Sequence, residues 1–548
     1  MYSSETTTMS RTSRSWSGFM HNHRWNMTGV AVTLIALVAA ACTDPTVAPT
    51  STVTGANYFN DPGSYRAFLA KAYAGLAVGG QNGGDGSTDI QGIDGGFSQY
   101  MRLYWEMQEL PTDEAVIAWG DQTLPELNTQ GWNASNTFVN AMYYRVFFQV
   151  GMVNEFLRET TNAKLASRSV SGALLAQVHT YRAEARFLRA LSLWHGLDFF
   201  GDIPLLTEND PLGSIPQQST RADVYNFVVS ELTAIRDSLP LPGASSYGRA
   251  TGPAADMLLA ELYLNAGVYT GAPNYVGALT RASAVIAAGY TLAPNYFNNF
   301  QADNNTSPEM IFAVPEDGIR TQTYGSTNFL IHASCGNSMN ASNYGVDGCW
   351  YGLRLKASAH DLYAAGDVRA TAFYTSGQTV AVTQISNFGA GIPNPKFTNK
   401  TSGGATGSNA SFADTDFPMF RLGEAYLIYA EAQVRGGGGD TTTALLYVNS
   451  LRLRAFANDS TKMVVDSQLT LPFLLAERGR ELMWEGHRRT DLVRFGMFTG
   501  GTYLWAWKGA NAYAGDSTAV ATDAHFNLYP IPTNELIANP NLKQNTGY

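Results

Sequence analysis

Apolar side chains recur at spacings of three and four residues through much of this 548-residue chain. Only an α-helix brings residues with that spacing onto one face, where they can be buried together. The pattern is clearest from Asn136 to Thr160 and from Leu175 to Phe200, and the second stretch is followed by Gly201 and Pro204, which end helices. Further helices are predicted near 221–238, 252–266, 274–288, 421–434, 440–455 and 469–496.

The predicted helices come in pairs with short connections between them. Small residues inside them, such as Ala183, Ala190 and Ala260, permit two helices to approach closely. Helix–turn–helix pairs of this kind are typical of tetratricopeptide proteins, although no clean period of about 34 residues is present. We therefore expect a mainly α fold, an irregular tetratricopeptide-like helical array.

A long loop-rich insertion interrupts the helical pattern over about 289–419. It is rich in Gly, Asn, Ser, Thr and Tyr and contains several turn signals. Two apolar runs inside it, Glu309 to Val314 and Thr379 to Ile385, are predicted to form short strands. A second irregular stretch, Gly79 to Gly96, lies among the N-terminal helices. Loops this long inside a folded domain are usually functional.

The N-terminal region has the features of an export signal. Basic residues precede a short, uncharged, apolar stretch from Gly29 to Cys42, which is too short to span a bilayer. Three alanines stand directly before Cys42 and resemble a bacterial lipobox, although Ala39 occupies the position where leucine is usual. The alternative is an ordinary cleavage site with an incidental cysteine. The predicted organisation is a signal peptide over 1–41, a flexible tether lipidated at Cys42 over 42–55, and a helical domain over 56–548.

The composition excludes one class of partner and favours another. A net charge of −10 and a pI near 5.3 argue against nucleic acid, which needs a basic surface. Aromatic residues make up 12% of the chain, more than a core alone usually needs. Some of these rings are therefore expected to face a ligand.

The two cysteines after Cys42 lie close together. Cys335 and Cys349 flank a Gly/Asn/Ser-rich loop, and in an exported protein such a pair favours a disulfide. Closing a loop of this length would stabilise the fold by about 3 kcal/mol in the chain-entropy model. The alternative is two unpaired thiols. A zinc site needs more ligands than this segment offers.

One segment, "WEGHRRTDLVRFG" from Trp484 to Gly496, has the inventory of a catalytic or metal site. On a continuous helix, however, Glu485 lies four residues before Arg489, and His487 four before Asp491. Such pairs neutralise each other without a substrate. We therefore predict that these charges stabilise the scaffold.

Four stretches resemble the SusD/RagB family of outer-membrane lipoproteins, in order and spacing over the whole mature chain. They are Tyr181–Leu205, Phe420–Arg435, Glu477–Gly496 and Leu528–Tyr548. The resemblance implies an α-helical protein anchored by lipid to the outer membrane and facing the cell exterior. It further implies capture of a nutrient, an oligosaccharide or a peptide, and delivery to a SusC-like TonB-dependent transporter.

Other functional classes have less support in the sequence. There is no G-x-S-x-G, H-E-x-x-H or G-x-x-x-x-G-K-[ST] motif, so we expect no enzyme, no cofactor and no metal site. The segment from Gly83 to Asp89 lacks the periodic ligands of a calcium loop. The alternative function is a tetratricopeptide-type scaffold that binds protein only.

A sugar presents apolar ring faces edged with hydroxyl groups, so aromatic side chains outside the helical stripes are the candidate ligand contacts. The candidates are Trp119, Trp132, Tyr324, Tyr344, Trp350 and Tyr351. A disulfide beside Trp350 would reduce the ordering cost of binding. Asp113 and Asn133 are further candidates for hydrogen bonds, whereas the helical Trp194 and Trp484 are assigned to the core. For each ring the alternative is burial where a loop meets the core.

Overall fold

The computed structural model describes residues 55–513 and 515–548. A short unit contains the helix α1, Gly55–Tyr58, and a second unit extends from Phe59 to Tyr548. The predicted signal peptide, the lipidation site Cys42 and nearly all of the tether lie outside the described residues.

The remaining helices alternate with three short antiparallel strand pairs. They are α2 Gly63–Ala77, α3 Tyr100–Glu109, α4 Thr137–Glu159, α5 Asn162–Ser167, α6 Gly172–Phe200, α7 Arg221–Ile235, α8 Gly252–Leu264, α9 Ala266–Thr270, α10 Tyr275–Ile286, α11 Ser326–Ala333, α12 Ala357–His360, α13 Leu422–Val434, α14 Thr441–Ala455, α15 Leu471–Glu481, α16 Arg488–Arg494 and α17 Thr533–Ala538. The strands are β1 Ala115–Ile117, β2 Ile203–Pro204, β3 Gln218–Ser219, β4 Met310–Val314, β5 Leu353–Leu355 and β6 Phe417–Arg421.

Successive long helices pack side by side and bury the apolar faces that the sequence shows. Helix α4 packs on α6, α6 on α7, α8 on α10, α10 on α13, and α13 on α14. The first of these begins where the side chain of Asn136 accepts hydrogen bonds from the backbone N–H groups of Phe138 and Val139. The predicted mainly α fold with few short strands is confirmed.

The strand pairs connect the insertion to the helical array. Strand β4 pairs with β6, directly before α13, and β5 pairs with β1. The predicted strand at Glu309–Val314 is confirmed as β4. The predicted strand at Thr379–Ile385 is wrong, because this stretch forms only an isolated bridge at Thr379. Its apolar side chains Val382 and Ile385 pack with Trp507 instead of entering a sheet.

The predicted helix over 469–496 is also wrong in its middle. Helix α15 ends at Glu481 and α16 begins at Arg488, with a turn between them. Trp484 and Gly486 have positive φ angles of 63° and 82°, which an α-helix cannot contain. Over the residues that the structure describes, no helix combines the length and the apolar character needed to cross a membrane.

Candidate ligand-binding site

An aromatic cleft of about 440 Å³ opens on the surface where the insertion meets α3 and β1. It is lined by Gly96, Phe97, Arg102, Trp119, Asp121, Tyr324 and Trp350. Three of the six predicted ligand contacts, Trp119, Tyr324 and Trp350, are therefore brought together from segments far apart in the sequence.

The β1–β5 pairing places the two tryptophans beside each other. Trp119 follows β1 and Trp350 precedes β5, and the antiparallel register brings these two ends together. The indole Nε1 of Trp119 donates a hydrogen bond to the backbone oxygen of Trp350 at 2.8 Å, and the ring centroids lie 6.4 Å apart. The Trp350 ring also stacks on His332 at 4.4 Å. Both indoles are only half-buried, so part of each ring faces the cleft.

Tyr324 and Arg102 complete the cleft. The Tyr324 ring meets Trp350 edge to face at 5.8 Å. The Arg102 guanidinium lies 4.3 Å from the ring centroids of both Phe97 and Phe329, and it donates to the Tyr324 backbone oxygen at 3.2 Å. The Arg102 side chain is almost entirely buried, so it packs against the rings inside the protein and is not exposed in the cleft.

The charges at the cleft divide into a buried pair and an exposed carboxylate. Arg102 donates to Glu106 at 3.0 Å. Burial lowers the pKa of Arg102 and raises that of Glu106 to about 7, although each opposes the shift of the other. Asp121 is exposed at the edge of the cleft. The cleft thus offers ring faces to an apolar surface and an exposed acceptor to hydroxyl groups.

Tyr344 and Tyr351 lie near the disulfide but do not line the cleft. The structure joins Cys335 and Cys349, with their Cα atoms 4.9 Å apart, and Trp350 follows directly. Tyr344 packs against the cluster of Cys335 and Phe388. The Tyr351 ring is 48% exposed and contacts Phe388 at 5.7 Å.

Trp132 is a packing residue and not a cleft residue. Its side chain is 2% exposed, its Nε1 donates to the Tyr548 hydroxyl at 2.7 Å, and its ring packs on Tyr529 at 4.5 Å. The expectation that it faces a ligand is corrected, because the C-terminal segment covers it. Trp194 and Trp484 are buried, as predicted.

The two polar candidates also have structural partners. Asp113 is buried and forms an ion pair of 2.6 Å with Arg488. The Asn133 side chain accepts from the Ser135 backbone N–H at 2.8 Å within an exposed turn. Neither residue lines the aromatic cleft.

The charged segment 484–496 pairs mainly across the fold, although Asp491 and Arg494 pair within α16 at 2.7 Å. Glu485 pairs with Arg421 at 2.6 Å, and Arg489 with Asp198 at 2.8 Å. The predicted pairs Glu485–Arg489 and His487–Asp491 are wrong. Glu485 and His487 lie in the turn at 482–487, before α16, and therefore do not share a helix face with Arg489 and Asp491. The broader interpretation, that these charges stabilise the scaffold, agrees with their burial and pairing.

The carboxylates of this network are held ionised by arginines. Burial alone would raise the pKa of Glu481, but the guanidinium groups of Arg454, Arg421 and Arg369 outweigh it and lower that pKa to about 2. Glu477 is buried in the same way. Arginines lower its pKa to about 2, and Arg369 contributes most to that shift. An ionised, fully paired carboxylate is poorly suited to acid–base catalysis at neutral pH.

The comparisons with known proteins agree with this architecture. A model of the SusD family matches residues 370–548. The starch-binding protein SusD of Bacteroides thetaiotaomicron is 34% identical over 94% of this chain and 98% of its own length. The SusD-like protein P2 of Formosa agariphila is 25% identical over 77% of this chain and 83% of its own length.

Solved structures share the fold. The surface glycan-binding protein A from Bacteroides thetaiotaomicron, in complex with laminarihexaose, has a TM-score of 0.66 and 20% identity, with 88% of this chain and 98% of that chain covered. A SusD superfamily protein from Bacteroides vulgatus has a TM-score of 0.67 and 19% identity, with 89% of this chain and 99% of that chain covered. The resemblance of the four sequence stretches is thus confirmed, and the chain belongs to the SusD family.

Proposed function

We propose that this protein is a cell-surface lipoprotein that captures an oligosaccharide in its aromatic cleft. The observation that carries the proposal is the convergence of the half-buried rings of Trp119, Tyr324 and Trp350 beside the exposed carboxylate of Asp121. Rings stack on the apolar faces of sugars, and a carboxylate accepts hydrogen bonds from their hydroxyl groups. The relation to a protein named as starch-binding supports the same ligand class.

A neutral glycan fits this cleft better than an acidic peptide does. The guanidinium of Arg102 is buried over two aromatic rings, and its Nε is occupied by Glu106. Among the described residues that line the cleft, none is therefore an exposed cation that could pair with an acidic peptide. The aromatic surface carries most of the contact area, as in sites where a few polar groups set orientation.

Isothermal titration calorimetry tests this proposal directly. Linear α-1,4- and β-1,3-glucan hexasaccharides and a neutral hexapeptide are titrated into the protein, and we expect heat of binding from at least one glycan and none from the peptide. Trp350→Ala should weaken that binding about 10- to 100-fold, the range for truncating a central aromatic contact. Tyr351→Ala is the matched control, because this neighbouring aromatic lies outside the cleft. Equal losses in both variants, or binding of the peptide alone, would refute the assignment.

The same proposal includes a lipid anchor at Cys42 and delivery to a TonB-dependent transporter in the outer membrane. The position of Cys42 after an apolar stretch, together with the family, supports both parts. Cys42→Ala should move the protein from the membrane fraction to the soluble fraction, and affinity purification of the tagged parent should retain a transporter barrel. A scaffold that binds protein only would retain a partner but show no glycan affinity.

A further inference from the structure

A buried polar cluster lies in the helical core, formed by residues of the scaffold that line no part of the aromatic cleft. It consists of Glu261 on α8, Glu424 in the first turn of α13, and His487 just before α16. One ligand atom from each residue lies within 4.8 Å of the others. The two glutamates are each 1% exposed and the histidine is 6% exposed.

The carboxylates of this cluster lack the hydrogen bonds that burial demands. Among the residues that the structure describes, none donates a hydrogen bond to either side-chain oxygen of Glu424 or to Oε1 of Glu261. Oε2 of Glu261 accepts from the Asn265 side chain at 3.1 Å. The closest approach of His487 is its Nδ1, 3.4 Å from Oε1 of Glu424. Unpaired buried carboxylates are costly, and they persist where a charge partner or a metal occupies the site.

The Arg478 guanidinium lies beside the cluster and is shared between Glu261 and a neighbouring network. Arg478 donates from Nε to Asp491 at 2.7 Å, whereas its distance to Oε1 of Glu261 is 3.6 Å. Asp491 also pairs with Arg494, which in turn pairs with Glu431. Glu261 therefore has one buried cation at 3.6 Å, whereas His487 is the basic side chain that the described residues bring to Glu424.

We propose that Glu261, Glu424 and His487 bind one divalent transition-metal ion, with Zn²⁺ as the reference ion. Carboxylate oxygen and imidazole nitrogen are zinc ligands at about 2.0–2.2 Å, so at tetrahedral angles two ligand atoms of one ion lie about 3.4 Å apart. The His487–Glu424 separation of 3.4 Å has this size, whereas the cluster as a whole, within 4.8 Å, would have to contract around the ion. The ion would join α8, α13 and the turn before α16, and these three residues leave its fourth coordination position open.

A second imidazole lies in the same interior. His195 on α6 is 2% exposed, its Nδ1 is 2.8 Å from the Tyr100 hydroxyl, and its Nε2 has no hydrogen-bond partner within the described part of the chain.

Metal content and thermal stability test the site. The protein is purified after growth with added zinc, dialysed, and analysed by plasma mass spectrometry before and after treatment with a strong chelator. We expect about one zinc per chain, a lower melting temperature after chelation, and recovery on adding Zn²⁺. Glu424→Gln should lose the bound zinc and make the melting temperature insensitive to the chelator. His525→Ala, which removes an exposed His–Asp pair of 2.7 Å, should change neither result.

The competing occupant is a proton shared between Glu424 and Glu261. Either a proton or a cation can lie between the two facing carboxylates, because no described residue donates a hydrogen bond to the Glu424 oxygens. In the shared-proton case the chain would carry no zinc, and its melting temperature would ignore both chelator and metal. Glu424→Gln would then be as stable as the parent, because its amide can donate to Glu261. Those results, or zinc that is lost equally in His525→Ala, would overturn the proposal.

Discussion

At the scale of single residues, Arg421 shows how the interior of this scaffold is held together. Its guanidinium contacts the carboxylates of Glu309, Glu481 and Glu485 at 3.3, 2.7 and 2.6 Å, and all four side chains are buried. Such a group compensates charges that could not otherwise leave water. The stability of the protein therefore depends on complete networks and not on individual pairs.

Replacing Arg421 with methionine is expected to destabilise the protein by about 3–5 kcal/mol, because the three carboxylates lose a buried partner. The midpoint of urea unfolding, followed by circular dichroism, measures the change. Arg158→Met is the matched control, since Arg158 pairs with Glu155 at the surface and should cost less than about 1 kcal/mol. A similar shift in both variants would contradict this interpretation of the network.

The depressed pKa values of Glu477 and Glu481, each about 2, predict acid sensitivity. Both glutamates are ionised in the folded state below the pH at which an unfolded glutamate takes up its proton, about 4.3. Their contribution to stability is therefore present above that pH and is lost as the pH falls toward 2. We expect the urea midpoint to fall steadily from pH 5 to pH 3.

Other buried carboxylates act in a different window. Burial raises the pKa of Glu106 to about 7, so it favours the folded state at low pH and this contribution is lost as the pH rises from about 4.5 to 7. The Glu106 carboxyl therefore does not account for a loss of stability below pH 4.

The Glu477→Gln variant should be less stable than the parent at pH 7, but its urea midpoint should fall less between pH 5 and pH 3. An unchanged fall would argue against the role of Glu477 in the acid sensitivity.

Sequence reasoning located part of the cleft because of where its aromatics stand. Trp119, Tyr324 and Trp350 lie in loops, where burial on the apolar face of a helix cannot account for a large aromatic side chain. Phe97 and Arg102 were missed, since they precede or belong to α3, whose residues are all buried. The position of Phe97 directly after the Gly-rich stretch 79–96 was a usable signal, because a loop that long points to a functional surface.

At the scale of secondary-structure elements, the turn between α15 and α16 has the strictest backbone requirement. Gly486 has a φ of 82°, and a Cβ atom placed there would lie 2.6 Å from a ring carbon of Tyr104. The Tyr104 hydroxyl donates to the Gly486 backbone oxygen at 2.8 Å, so the ring cannot easily move away. This turn directs Glu485 toward Arg421 and Arg488 toward Asp113.

Gly486→Ala is expected to destabilise the protein by more than about 2 kcal/mol, since a positive φ and a close contact both penalise a side chain. The melting temperature measures the effect. Gly496→Ala is the control, because Gly496 has a φ of 68° but, its chain neighbours aside, no described atom lies within 4 Å of where a methyl group would stand. This control substitution should cost only about 1 kcal/mol. Equal costs would show that the Tyr104 contact is unimportant.

The long helices were predictable because their apolar spacing persists over many turns. The break at 482–487 was not, since the charges from Glu477 to Gly496 continue with spacings of three and four and no proline intervenes. Tertiary ion pairs with distant segments determine the turn. Tertiary packing also decides the apolar run at 379–385. It forms no strand, because its side chains pack against Trp507, which is distant in the sequence.

At the scale of the whole molecule, the C-terminal segment closes the fold. The side-chain amide of Asn545 donates to the backbone oxygens of Phe200 and Tyr529 at 2.9 and 2.7 Å. The Tyr548 hydroxyl accepts from Trp132 and donates to Leu528. These bonds fasten the last residues to the end of α6 and to the loop before α4.

Deleting residues 543–548 is expected to lower the melting temperature by several degrees, because buried backbone oxygens and the Trp132 indole lose their partners. Differential scanning fluorimetry measures the shift. Lys543→Ala is the control, since this exposed residue contributes its backbone, and not its side chain, to the bonds with Gln218. A stable truncated protein would show that the tail is dispensable.

The family assignment followed from the sequence because its four stretches form the parts of the structure that depend on each other most. Glu477–Gly496 supplies the ion pairs, Phe420–Arg435 contains Arg421, Tyr181–Leu205 contains Asp198, which pairs with Arg489, and Leu528–Tyr548 is the closing segment. Ligand contacts in loops carry no such mutual constraint, so only some of the cleft residues were predictable and their convergence required the structure.

The fastening of the C-terminus also bears on how the protein is made. The residues that cover Trp132 are synthesised after the long helices, so the core near α6 cannot close before they are made. A polypeptide cut short by a nonsense mutation or premature release would expose that surface to cellular proteases. The segment that carries Asn545 and Tyr548 is therefore needed to close the fold, and truncated copies would be open to degradation.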